Sequence, residues 1–255
     1  MNEEAFVMRI LEYGNPNDPV ILLIHGFESP YQVWDDYVAH FQGNYHILLP
    51  ILPGHDPGEN SEFLSFEATA KEIEDFCISK SIDRVHAAYG MSMGGVLALI
   101  LWKNGRLSFE KILMESSPLL PFGGVAAKVM TRQYIAITRK ARQRDKKVLQ
   151  SAVHSMVTED KLDAFLELLD NISDTTIENY LQAVGRFRIL ADLPDARFVY
   201  FYGGKLSEVF FRNVARFLRK HYQNVTTVCL KGKGHCEDAL LHPKERIRQL
   251  EPYIR

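Results

Sequence analysis

Apolar residues fall along this chain in two alternating rhythms. Val20 to His25 (VILLIH) is an unbroken apolar run of strand length, bounded by Asn-Asp-Pro before it and Gly-Phe after it. Runs without alternation suit strands covered on both faces. Tyr31 to Gln42 then sets Val33, Trp34, Tyr37, Val38 and Phe41 three and four apart, the period of an amphipathic helix. His46 to Leu49 predicts a strand ending in a Pro-Gly-rich loop, and Phe66 to Lys80 a helix through Ala70, Ile73, Phe76 and Cys77. Val85 to Tyr89 reads as a strand, Val96 to Trp102 as a nearly all-apolar helix, and Lys111 to Met114 as a strand. Strand and helix alternating at this pace predict an α/β fold, a mostly parallel sheet with helices on both faces.

The rhythm breaks between Phe122 and Leu190, where no strand pattern occurs. Helical stripes replace it: Val148, Leu149, Ala152, Val153 and Met156; Leu162, Phe165, Leu166 and Leu169; Ile177, Tyr180, Leu181 and Val184. Alternation resumes with a strand at Arg197–Tyr202, a helix at Val209–Tyr222, a strand at Thr226–Leu230 and a helix at Pro243–Tyr253. The expected organisation is one α/β core, residues 1–121 and 191–255, with residues 122–190 inserted as a helical cap.

Composition narrows the class without changing this picture. Of 255 residues, 46% are apolar and 24% charged, the proportions of a globular protein with ample core material. Thirty basic against 32 acidic residues leave a net charge of −2, so no nucleic-acid partner is expected. No apolar run nears the roughly 18 residues of a membrane span. The start, Met-Asn-Glu-Glu, lacks the basic segment of a secretory leader, and a cytoplasmic location is expected. Cys77, Cys229 and Cys236 are too few and too scattered for a disulfide or zinc framework. The spacing of Cys236, Glu237 and His242 matches no common metal-ligand set, so neither metal nor other cofactor is expected. The basic run Arg139–Lys147 (RKARQRDKK) reads as a solvated helix face rather than an anion site.

Candidate chemistry centres on Gly90-Met91-Ser92-Met93-Gly94, a Gly-x-Ser-x-Gly pentapeptide. It directly follows one predicted strand and opens a predicted helix, the context in which such a serine sits on a sharp, strained turn. Small residues are needed there because β-carbons two positions away would crowd the neighbouring strand and helix. Two further motifs accompany it: His25-Gly26-Phe27 after an early strand, and Lys233-Gly234-His235-Cys236-Glu237 after the last.

With these three motifs in this order, the chain resembles the α/β-hydrolases over essentially its whole length. The resemblance implies Ser92 as nucleophile and His235 as general base. It implies the backbone N–H groups of Phe27 and Met93 as an oxyanion hole. His25 is expected to be structural, hydrogen-bonding its own loop. The family's acid usually follows the penultimate strand, where an ungapped reading of Tyr202–Glu208 (YGGKLSE) places Leu206. Glu208, two residues on, is the expected acid; Glu115, at the end of the Lys111–Met114 strand, is the alternative. Asp192 and Asp195 precede their strand, and Glu237 and Asp238 adjoin His235 too closely.

Serine rather than aspartate at the elbow argues against dehalogenase and epoxide-hydrolase chemistry. The expected activity is hydrolysis of a small-molecule carboxylic ester with an apolar acyl or alkyl group, with Phe27, Met91 and Leu119 lining the pocket. Thioesterase, lipase or carbon–carbon bond hydrolase chemistry would use the same residues. The departure at Leu206 leaves a catalytically silent binding protein as the competing class.

Overall fold

The computed structural model describes residues 8–189 and 198–255. Seven strands form one sheet: β1 (Ile10–Tyr13), β2 (Val20–Ile24), β3 (His46–Pro50), β4 (Arg84–Met91), β5 (Ser108–Glu115), β6 (Phe198–Gly203) and β7 (Val225–Leu230). Their order is β1-β3-β2-β4-β5-β6-β7; only β1 runs antiparallel, against β3. The continuous apolar run of β2 has the reason expected of it. Leu22 and Ile24 point into one core layer, Ile21 and Leu23 into the other, and all are buried.

Helices α2 (Phe66–Ser79), α3 (Met93–Asn104) and α8 (Val209–His221) pack on the first layer. Helices α1 (Asp35–Phe41), α9 (Glu237–Leu241) and α10 (Pro243–Ile254) pack on the second. Met93 to Leu101 of α3 are all buried, as an all-apolar helix in a core must be. The apolar pattern predicts neither the antiparallel edge strand β1 nor the short α9. In β1, the pattern Ile-Leu-Glu-Tyr is half-buried, and Glu12 is turned out to Lys80 and His46.

Between β5 and β6 the described residues hold helices α4 (Gly124–Arg142), α5 (Lys146–Val153), α6 (Leu162–Asn171) and α7 (Asp174–Arg186). Helix α4 escaped the sequence reading because its buried positions are Ala127, Thr131, Thr138 and Ala141, while Val125, Val129 and Ile137 are exposed. The expected boundary at residues 190 and 191, with Asp192 and Asp195, lies outside the described residues. The basic run closes α4 and opens α5. Arg139 pairs with Asp174, Arg144 with Asp170, and Arg142 donates to the Leu169 and Ile172 carbonyls. Its arginines therefore tie the inserted helices together.

Candidate active site

Every motif residue stands at the C-terminal edge of the sheet, where loops of a parallel α/β fold converge. β4 ends at Met91, and Ser92 turns the chain into α3 with φ +49° and ψ −111°. That left-handed backbone is strained for a residue with a β-carbon and holds the half-buried serine above the sheet. The surrounding glycines are steric necessities. A β-carbon on Gly94 would stand 2.2 Å from the Ile24 carbonyl oxygen, and one on Gly90 2.3 Å from the Gly94 backbone. Ser92 N–H donates to the Glu115 carbonyl at 2.7 Å, and the Cys236 thiol reaches the same oxygen at 3.6 Å. One carbonyl at the end of β5 thus gathers both the serine turn and the histidine loop.

His25 is buried and bonds its own loop: Nδ1 lies 2.8 Å from the Gly26 carbonyl, and Nε2 accepts the Leu52 N–H. His55 does the reciprocal work, with Nε2 accepting the Glu28 N–H and Nδ1 facing the Pro53 carbonyl. Burial pushes His25 down to about 4 and His55 to about 3, so both rings are neutral at pH 7 and can accept those N–H groups. Together they knit the Phe27 loop to the loop after β3.

A β-carbon on Gly26 would lie 3.6 Å from Ser92 Cβ, which measures how closely this backbone passes the serine. Among the described residues, neither Phe27 N–H nor Met93 N–H donates a hydrogen bond. Met93 N–H is at the open amino end of α3, where donors lack helical acceptors.

His235 is exposed on the loop after β7, with its ring centroid 4.8 Å from that of Phe211. Its Nδ1 stands 3.7 Å from Glu208 Oε1, ion-pair range but longer than a hydrogen bond. Glu208 is buried, and its Oε2 accepts the Ser116 hydroxyl at 2.9 Å. In the single 3-10 turn Leu206–Glu208, Leu206 is turned out to solvent, 85% exposed, and Glu208 is turned in. Gly203 makes room, since a β-carbon there would lie 2.7 Å from Glu208 Cγ and 2.5 Å from the Lys233 carbonyl.

Glu115 is engaged by other partners. Its carboxylate takes Arg246 Nε at 2.7 Å and the Tyr89 hydroxyl at 2.5 Å, within the second core layer. Glu237 and Asp238 are engaged by Lys205 and Lys233. No group of three or more His, Cys, Asp or Glu side chains suited to a metal occurs among the described residues.

Ser92, His235 and Cys236 open onto one cavity of about 380 Å³, whose remaining walls are mainly apolar. Phe27 and Met91 line it. Leu119 does not: it is buried in the core, with its carbonyl accepting Ile189 N–H, and its neighbour Pro118 takes the wall position. The inserted helices supply Met130 and Tyr134 from α4 and Tyr180 from α7; α8 supplies Phe210 and Phe211. Tyr180 stacks on Phe27 with ring centroids 4.0 Å apart. Burial raises its hydroxyl well above the usual phenol range, against hydrogen bonding with the Ser92 side chain. Tyr180 stood in a helical stripe of the sequence, but periodicity alone does not separate a core tyrosine from a cavity one.

The seven-stranded sheet thus carries the strained serine turn and the histidine loop at its carboxyl edge. The profile of the alpha/beta hydrolase family matches residues 21–250, and the chain belongs to that family. Over 90 residues it is 32% identical to a monoacylglycerol lipase, ABHD6, of Homo sapiens, covering 33% of this chain and 26% of that one. The chain thus spans about a quarter of the length of the relative it matches. Among solved structures, an alpha/beta hydrolase family protein from Desulfitobacterium hafniense superposes with a TM-score of 0.76 at 18% identity, covering 97% of this chain and 100% of the other. A thermophilic esterase from Thermogutta terrifontis gives 0.73 at 14% identity, covering 97% and 93%. Both likenesses are of fold. Among the described residues no helix is long and apolar enough to cross a membrane.

Proposed function

We propose that this protein is a serine hydrolase of carboxylic esters with an apolar acyl or alkyl group of small to medium length. The observation that carries the reading is that the strained Ser92 and the loop imidazole of His235 face the same apolar cavity. Ser92 Oγ gives its proton to His235 and attacks the acyl carbonyl. The resulting oxyanion is held by the N–H groups of Phe27 and Met93. Collapse releases the alcohol, protonated by His235, and leaves an ester on Ser92. Water, deprotonated by the same imidazole, then releases the acid and restores the serine. Glu208 orients His235 through Nδ1 and stabilises its charged form, its 3.7 Å separation shortening when the imidazole is protonated. Helices α4–α7 act as the cap, closing the cavity over the acyl chain; Met130 and Phe210 on its wall favour a saturated chain over a polar one.

The test is turnover of p-nitrophenyl esters of increasing acyl length. The expected profile peaks at a short to medium chain, and Ser92→Ala lowers kcat by at least ~10³-fold in a protein that still folds. A folded wild-type protein without turnover at any chain length would favour the silent binding protein.

A further inference from the structure

Glu28 follows Phe27 directly and takes no part in the chemistry above, yet its surroundings are unusually constrained. Its φ is +50°, a left-handed conformation uncommon for a residue with a β-carbon. The residue is 4% exposed, and its N–H is spent on His55. Its carboxyl meets helix α4: Glu28 Oε1 lies 2.7 Å from Thr138 Oγ1, which lies 2.9 Å from the Tyr134 carbonyl one turn back.

Proton counting at Thr138 bears on the state of Glu28. A threonine hydroxyl owns one proton, and the Tyr134 carbonyl owns none. With Glu28 ionised, the one Thr138 proton is shared between Glu28 and Tyr134; with Glu28 protonated, Thr138 gives its proton wholly to Tyr134, the ordinary back-bond of a helical threonine, and receives the Glu28 O–H, so both contacts become full hydrogen bonds. Four groups face Glu28. Tyr134 and Arg142 approach from α4, Tyr180 from α7, and neutral His55 from the loop after β3. Arg142 is turned toward the Leu169 and Ile172 carbonyls. Burial lifts the Glu28 carboxyl to about 7 even though a Thr138 hydroxyl turned to the ionised carboxylate and the charge of Arg142 both pull it down.

We propose that Glu28 is a positioning residue, held as a neutral carboxylic acid, that fastens the loop bearing the Phe27 N–H to inserted helix α4. The proposal rests on the oxyanion role of Phe27 given above. When Glu28 loses its proton, the one Thr138 proton is shared between both acceptors, and a buried carboxylate faces the Tyr134 carbonyl across one hydroxyl. The loop then loses its tie to α4, and the Phe27 donor drifts from the developing oxyanion. A misplaced donor weakens the transition state more than substrate binding, so kcat falls while KM changes little.

The experiment is the pH profile of p-nitrophenyl ester hydrolysis by the full chain and three variants. In the wild type, kcat should fall as pH rises through neutrality. Glu28→Ala and Thr138→Val should lower kcat about tenfold near pH 6 with KM within about twofold. Glu28→Gln, whose amide can donate to Thr138, should restore most of that activity and abolish the alkaline fall. The same alkaline fall in Glu28→Gln as in the wild type would overturn the proposal.

A second measurement is independent of turnover. Between the ordinary carboxylate value of 4.5 and about 7, native Glu28 holds a proton that the unfolded chain has lost. Its contribution to stability is therefore lost as pH rises through this window. The Tm of Glu28→Gln relative to wild type should climb with pH across the window and then level. A constant difference would overturn the proposal even if the ester reading of Ser92 had failed.

Discussion

Two carboxylates at the ends of neighbouring strands differ in what holds them. Glu208 is buried beside an exposed imidazole and the Ser116 hydroxyl; Glu115 is buried against Arg246, whose own side chain is fully enclosed. Glu208→Gln is therefore expected to lower kcat by ~10²–10⁴-fold with an unchanged unfolding midpoint, because it removes the group that orients His235. Glu115→Gln leaves a buried guanidinium without its counter-charge and is expected to destabilise by about 3–5 kcal/mol while sparing kcat in the folded fraction. Urea melts beside ester kinetics on the two variants separate the roles; loss of kcat in Glu115→Gln alone would reverse them. Ser92, His235 and Phe27 were legible in the sequence because glycines and strand ends surround them. Glu208 was expected ahead of Glu115, but the turn that rotates Leu206 out and Glu208 in has no mark in residue type. Tyr180 and Thr138 were hidden for a related reason: the same side chains serve as ordinary helix packing.

At the level of elements, the close contact between β4, α3 and β2 depends on absent side chains. The Gly94 position faces backbone oxygens of Ile24 and His25, which cannot rotate aside, whereas a β-carbon on Gly43 would meet nothing within 4 Å. Gly94→Ala should cost about 1–3 kcal/mol or more by overpacking, with loss of activity, and Gly43→Ala should leave both nearly unchanged. Denaturant midpoints for the pair check this; equal effects would contradict the close approach. The strands covered on both faces were readable because burial on both sides leaves a continuous apolar run. Helix α4 was not, because its buried stripe is made of small residues and threonines, and hydrophobic periodicity registers volume poorly. Edge strand β1 failed for the complementary reason: a half-exposed strand of four residues carries too little pattern.

Across the whole molecule, the sheet and the inserted helices meet at the cavity, and both contribute walls to it. The core supplies Ser92, His235 and the backbone donors; the insertion supplies Tyr180, stacked on Phe27, and the α4 contact of Glu28. Activity should thus respond both to the acyl chain and to the seating of α4. The α/β architecture and the interruption after β5 could be anticipated from the changing rhythm of apolar residues. The way the inserted helices reach the Phe27 loop could not, because it is set by packing between segments far apart in the chain. The central claim, that Ser92 is an activated nucleophile under His235, is tested most directly by a fluorophosphonate probe followed by peptide mapping. The expected result is stoichiometric labelling at Ser92, absent in Ser92→Ala and slowed at least about tenfold in His235→Ala, both variants remaining folded. A folded wild-type protein left unlabelled, or labelled equally well without the histidine, would contradict it.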